Sequence, residues 1–377
     1  MEFLLILGSF EAFFIGLLIF VKKDKSISDY LLSSLFIFYA ITIGLSYLEI
    51  LNRTNGYPYP QFISTSTPFI LLNGPLIWLY VGSHTKQNFK LKLSHFFHLI
   101  PFIGVFTLFY FTIFSLPIAE RIAMDSQATF KQLIAYPIII SLIALSTLIY
   151  YTWSLLMILK FNKNIKSFFA KIDKIDLKWL KIIIIISLVC HISISGLYII
   201  DILIGWMPYS FMQIIGFMIA SLYIIGFGFF GFKQGNLFTT TPINLNLEAA
   251  SEKPIINTPI SNEDELFVHQ LLEFVKQKQS YINPELTLAK LSEELNVNSE
   301  YLSSILNGRL NMNFFDFINH YRVEAFKVAC KNPENRNLTL ISIAYDCGFN
   351  SKATFNRVFK KITNLTPSEY YRTGSRN

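Results

Sequence analysis

The chain has 377 residues, 52% of them hydrophobic, with 37 phenylalanines, a formal charge of +7 and a mean hydropathy of +0.43. That balance is unusual for a soluble protein, and the length allows two or three domains. Three cysteines (Cys190, Cys330 and Cys347) exclude a disulfide framework, and no pair has metal-ligand spacing, so buried thiols and no metal or cofactor are expected.

Seven apolar blocks come first, at about 3–21, 30–51, 62–82, 96–116, 133–159, 180–204 and 209–232. Each is ~20 residues or more, the span of a hydrocarbon core as a helix. The first block has no positive region before it and no small-residue cleavage site after it, so it does not read as a signal peptide. Connections one, three and five carry Lys22, Lys23, Lys25; Lys86, Lys90, Lys92; and Lys160, Lys163, Lys166, Lys171, Lys174, Lys178, Lys181. The even-numbered connections carry Arg53, Arg121 and Lys131, so the bias is thirteen against three. Positive charge stays inside, which puts the N-terminus outside and the end of the seventh span in the cytoplasm of a bacterial inner membrane.

Three polar residues fall at mid-depth: Glu11, Asn73 and His191. Ionisable groups at that depth face the bundle interior and have partners. The expectation is that Glu11 and His191 face one another, or share a cavity with Asn73, as an intramembrane signal site; the alternative is a polar contact that only fixes packing. Glu49 and Asp201 sit near the outer span ends and read as solvated. Gly231 and Gly235 have the small-xxx-small spacing of a close helix contact, within the monomer or in a homodimer.

Residues 233–260 are polar and proline-punctuated, the composition of a linker of a few tens of Å reach. A helix then runs from a cap at Ser261 to about Gln279, with Leu266, Leu271, Phe274 and Val275 apolar. Residues 286–307 follow as a helix-turn-helix: Leu288, Leu291 and Leu295 on one face, a turn at Asn296-Val297, and Asn298 capping a helix with Leu302, Ile305 and Leu306 inward. A connecting helix from Asn313 to about Asn332, roughly 30 Å long at 1.5 Å per residue, leads on. Residues 340–361 repeat the plan, with Gly348 ending the first helix and Asn350 capping the second. Thr366-Pro-Ser-Glu369 is a capping box that starts a last helix.

The stretch Ala344-Tyr-Asp-Cys-Gly-Phe-Asn-Ser-Lys-Ala-Thr-Phe-Asn-Arg-Val-Phe-Lys-Lys361, followed by Leu365-Thr-Pro-Ser-Glu-Tyr-Tyr-Arg372, resembles the AraC/XylS transcriptional regulators, as does its partner upstream. The resemblance covers about a third of the chain and implies binding to the major groove of double-stranded DNA. It assigns base-edge contacts to Lys352, Ala353, Asn356 and Arg357 in the second unit and to Glu300, Ser303 and Ser304 in the first. Serines where many members carry Arg or Gln weaken readout by the first unit. Arg309, Lys360 and Lys361 add phosphate-binding charge, and residues 301–377 hold eleven Lys/Arg against five Asp/Glu.

The sequence therefore reads as an all-α protein: a seven-transmembrane bundle (1–232), a linker, and a cytoplasmic double helix-turn-helix domain (261–377). The expected role is a membrane-bound transcription regulator that couples a small-molecule or membrane-protein signal to DNA. One competing reading makes the bundle a passive anchor controlled by a partner. Another makes it a transporter or enzyme with a regulatory tail, but no phosphate loop, nucleophile elbow, metal cluster or inverted repeat is visible, so no enzyme is expected.

Overall fold

The computed structural model describes residues 2–86, 88–173, 175–205, 207–233 and 262–374. Their secondary structure is helical, with one isolated antiparallel bridge between Phe169 and Thr287. They form two compact units. The first runs to Leu159 and resumes at Leu177; the second combines Lys160–Asp176 with the C-terminal helices.

In the first unit α1 (Glu2–Val21) and α2 (Ile27–Thr54) make an antiparallel hairpin. Ser26 caps α2 and forms a reciprocal box with Asp29, which also pairs with Lys22 at 3.0 Å. Close approach of the two helices depends on small residues. Ser33 Oγ donates to the Gly16 carbonyl at 2.7 Å, and Ser9 Oγ to that of Ala40 at 2.9 Å.

The helix α3 (Ser66–Thr85) packs on α2, its first amide donating to Glu49 Oε1 at 2.7 Å. Then come α4 (Ile100–Phe109), widening into a π-turn over Tyr110–Phe114, and α5 (Ile118–Ser126). Three long helices complete the unit: α6 (Ala135–Asn164), α7 (Lys178–Ile204) and α8 (Tyr209–Lys233).

Among the described residues, six helical stretches are long and apolar enough to cross a bilayer: Glu2–Val21, Ile27–Thr54, Leu93–Phe114, Ala135–Ser167, Lys178–Ile204 and Tyr209–Phe229. The block expected at 62–82 forms α3, which is 20 residues long but carries Ser66, Thr67, Asn73 and Pro75. Most of α3 is buried, so its side chains meet other helices and need less apolar surface. Gly228 lies hard against Ile15 of α1, the close approach that a small residue permits. Gly231 lies in the last turn of α8, while Gly235 and residues 234–260 of the linker lie outside the described residues, so the Gly231/Gly235 contact does too.

The second unit opens with α9 (Asn262–Lys278), whose Leu271 and Val275 are buried against the first helix-turn-helix, while Leu266 is exposed rather than packed. That helix-turn-helix is α10 (Leu288–Glu294), capped by Thr287, and α11 (Ser299–Gly308), capped by Asn298. Asn296 makes the turn in the left-handed region at φ +56. The connecting helix α12 (Phe314–Ala329) has 16 residues, roughly 24 Å, because the chain leaves it before Pro333 for a 3-10 turn.

The second helix-turn-helix is α13 (Leu340–Asp346) and α14 (Lys352–Thr363), followed by α15 (Pro367–Gly374). Gly348 is left-handed at φ +92, and an added Cβ would lie 2.4 Å from the Tyr281 carbonyl oxygen. The cap of α14 is Ser351, one residue after the expected Asn350: Ser351 is extended and its Oγ accepts from the Thr354 amide. Cys347 is buried, whereas Cys190 and Cys330 are only partly so.

Candidate nucleic-acid interface and bundle cavity

Helix α14 is two-faced. Phe355, Val358 and Phe359 are buried, with the Phe326 ring of α12 tilted against Phe355 and edge-to-face with Phe359. The opposite face leaves Lys352, Ala353, Asn356, Arg357 and Lys360 exposed. Lys352 and Arg357 make no ion pair among the described residues, so both are free for an anionic or hydrogen-bonding partner. Lys361 is exposed and pairs with Asp316 of α12 at 2.9 Å.

Helix α11 is different. Glu300 is exposed, Ser303 Oγ accepts from Asn307 Nδ2 at 3.2 Å, and Ser304 is buried, its Oγ donating to the Tyr301 carbonyl. A serine inside a helix turns back on its own backbone in this way, which takes Ser304 off the exposed face. Arg309 is held by Asp264 of α9 at 2.6 Å, and Tyr301 donates to the same carboxylate. Of these two helices, α14 therefore carries the free positive charge, and α11 has no lysine or arginine.

In the first unit a cavity of about 150 Å³ lies among α2, α3, α4, α6, α7 and α8. Its wall is mostly aliphatic and aromatic, and Asn73 and His191 are brought together in it. Asn73 is buried, and its Oδ1 has no hydrogen-bond partner among the described residues. His191 Nδ1 lies 2.8 Å from the Ser187 carbonyl, so that nitrogen carries the proton and Nε2 is left as the acceptor. Glu11 is not in the lining. It sits on α1, which packs on α2 and α8, and faces Gly228.

Glu49 and Asp201 are buried with partners, contrary to the solvated reading. Glu49 accepts from the Ser66 amide, Ser66 Oγ and Gln213 Nε2, at 2.7, 3.0 and 2.6 Å. Arg53 bridges Gln213 and Asp125, Tyr57 donates to Asp125, and Lys131 pairs with Asp201. Ser66 and Gln213 also line the cavity, so one wall of it is tied to this network. Position near a span end hid the network: burial depends on α5 and the 126–135 connection folding over that end, which periodicity does not report. No group of three or more potential metal ligands forms among the described residues.

Comparison with known proteins bears on the second unit. Residues 291–373 match the AraC-type family described as "Helix-turn-helix domain". An uncharacterised HTH-type transcriptional regulator of Staphylococcus aureus (strain COL) is 31% identical over 114 residues, 30% of this chain and 14% of that protein. A similar relative from strain MSSA476 aligns to the same extent. The uncharacterised HTH-type transcriptional regulator YijO of Escherichia coli (strain K12) is 31% identical over 87 residues, 23% of this chain and 30% of that protein. The chain thus spans less than a third of the length of these relatives. No solved structure matches it. With its two helix-turn-helix units and that match, the C-terminal part of the chain carries an AraC-type helix-turn-helix domain.

Proposed function

We propose that this chain is a multi-pass membrane protein that binds specific DNA through residues 286–361 and regulates transcription in response to a signal received by its N-terminal bundle. The observation that carries the DNA reading is the free face of α14: Lys352, Asn356 and Arg357 stand exposed on a helix whose other face is fixed in an aromatic core. Arginine donates to guanine O6 and N7, and asparagine bonds adenine bidentately. Phosphate contacts from Lys360 and Lys361 supply affinity without sequence preference. The exposed residues of α11 suit backbone positioning more than base readout.

Six apolar helices, with α3 packed among them, support the membrane reading, and the lysine bias supports a C-terminal domain on the cytoplasmic side. The division is a bundle over 1–232, a linker over 233–260 and a DNA-binding domain over 261–377. The cavity suits a small lipophilic molecule, with Asn73 Oδ1 offering an acceptor inside an otherwise apolar wall. A ligand that favours one packing of the helices shifts the population toward it.

The test is in-cell DNA occupancy of the full-length chain against its Arg357→Ala and Lys360→Ala variants. Arg357→Ala is expected to cost about 1–3 kcal/mol and to relax preference at one base pair. Lys360→Ala is expected to weaken all sites alike and to lower the salt slope by about one. Occupied sites that neither variant disturbs would sink the assignment of α14 as the reading helix.

A further inference from the structure

The lysine-rich connection between α6 and α7 is built into the DNA-binding domain. A 3-10 turn over Ile165–Ser167 leads into an extended run in which Phe169 pairs with Thr287. The Leu288 amide donates to the Phe168 carbonyl at 2.9 Å, and the Ala170 amide to that of Leu286 at 3.4 Å. Ile165, Ala170 and Ile172 are all 3% exposed or less, and Ala170 packs in the same core as Leu286, Leu288 and Phe317. The Ala170 carbonyl accepts from Asn319 Nδ2 and Arg322 Nη1 of α12, at 3.3 and 3.4 Å. Lys171 pairs with Glu285, and Asp173 Oδ1 accepts from Thr354 Oγ1 in the first turn of α14.

One nine-residue run therefore touches the entry to the first helix-turn-helix, the connecting helix and the second recognition helix. Its side of α14 matters. Thr354 is buried beside Phe355, while Lys352, Asn356 and Arg357 remain exposed. The run thus leaves the reading face open. A carboxylate at the first turn of α14 also suits the positive end of that helix.

We propose that residues 165–173 act as a splint, fixing the two helix-turn-helix units in the one relative orientation that lets both engage the same DNA. This rests on the reading of residues 286–361 as the DNA-binding surface. Two linked modules gain affinity only while their geometry allows simultaneous contact, and undocking the splint removes that gain. The run follows α6 directly and precedes α7 by four residues along the chain, and both helices line the cavity. A molecule that rearranges those two helices pulls on the splint, which gives the signal a covalent route to the recognition helices.

The test uses the full-length chain in lipid nanodiscs and a duplex carrying a site recovered from its in-cell occupancy. Phe169→Cys with Thr287→Cys is expected to form a disulfide that neither single variant forms, and the oxidised chain is expected to keep its affinity for the duplex. Ala170→Arg, and more gently Asp173→Ala, are expected to speed amide exchange at Leu288 and at position 170, the two amides that donate across the bridge. Both variants should weaken duplex binding, the first by about tenfold or more. Failure of the double variant to cross-link would overturn the docking itself. A loop that cross-links, with faster exchange but unchanged duplex affinity in both variants, would leave the DNA reading intact and overturn the splint. A docked chain with no affinity for any recovered duplex would overturn the DNA reading, and the splint with it.

Discussion

Arg322 shows how a guanidinium is kept inside a small domain. It is 2% exposed, and burial holds its pKa down to about 10, with Glu285 acting in the opposite sense. Its donors reach the carbonyls of Tyr281 at 2.8 Å and Asn283 at 2.9 Å, besides Ala170 and Asn319. Only a planar fork serves several fixed acceptors at once. Arg322→Met would leave those carbonyls unsatisfied and is expected to destabilise the domain by about 2–4 kcal/mol. Arg322→Lys should recover only part of that, and denaturant unfolding of the two variants measures both. The sequence offered this arginine only as one positive charge among eleven. Its burial was not legible, since it depends on the 165–173 run that covers it. By contrast Lys352, Asn356 and Arg357 were legible, because the spacing of Phe355, Val358 and Phe359 fixes which face of α14 stays free.

At the scale of elements, capping chemistry carried most of the reading. Thr366 and Glu369 make the expected box: the Thr366 amide donates to Glu369 Oε2 at 2.7 Å, and the Glu369 amide to Thr366 Oγ1 at 3.3 Å. Those bonds hold the Glu369 carboxyl below its ordinary value of 4.5. Because the folded value is depressed, the box is intact above about 4.5 and is lost as pH falls through the folded value. The start of α15 is therefore expected to fray selectively in acid. Amide exchange over Thr366–Tyr370, followed against pH, would show it, and protection that persists to the lowest pH would count against the carboxylate's role. Where the reading slipped, the cause was local. Asn350 and Ser351 are both good caps, and the backbone chose the second. The connecting helix ended early because a proline, Pro333, lies four residues beyond its last residue.

At the scale of the molecule, apolar length gave the bundle helices, but not which polar groups meet. Asn73 and His191 were recognisable by depth, and they share a cavity; Glu11 had the same depth but lies on a helix that takes no part in its wall. Depth along a span is a one-dimensional coordinate, and rotation about the helix axis decides the rest. His191→Phe is expected to abolish signal-dependent changes in DNA occupancy while basal occupancy persists. An unchanged response under every inducing condition would count against the cavity as the signal site. The connection between α6 and α7 was read only for its lysines, although Phe168, Phe169, Ala170 and Ile172 interrupt them with apolar positions suited to packing. The order of synthesis gives this connection a further consequence. Ala170 leaves the ribosome 152 residues before Arg322, the residue that will grip its carbonyl. The domain at the end of the chain is thus finished by a piece made long before it and tethered at both ends. A protease cutting anywhere in 233–260 would release two helix-turn-helix units but keep that piece behind.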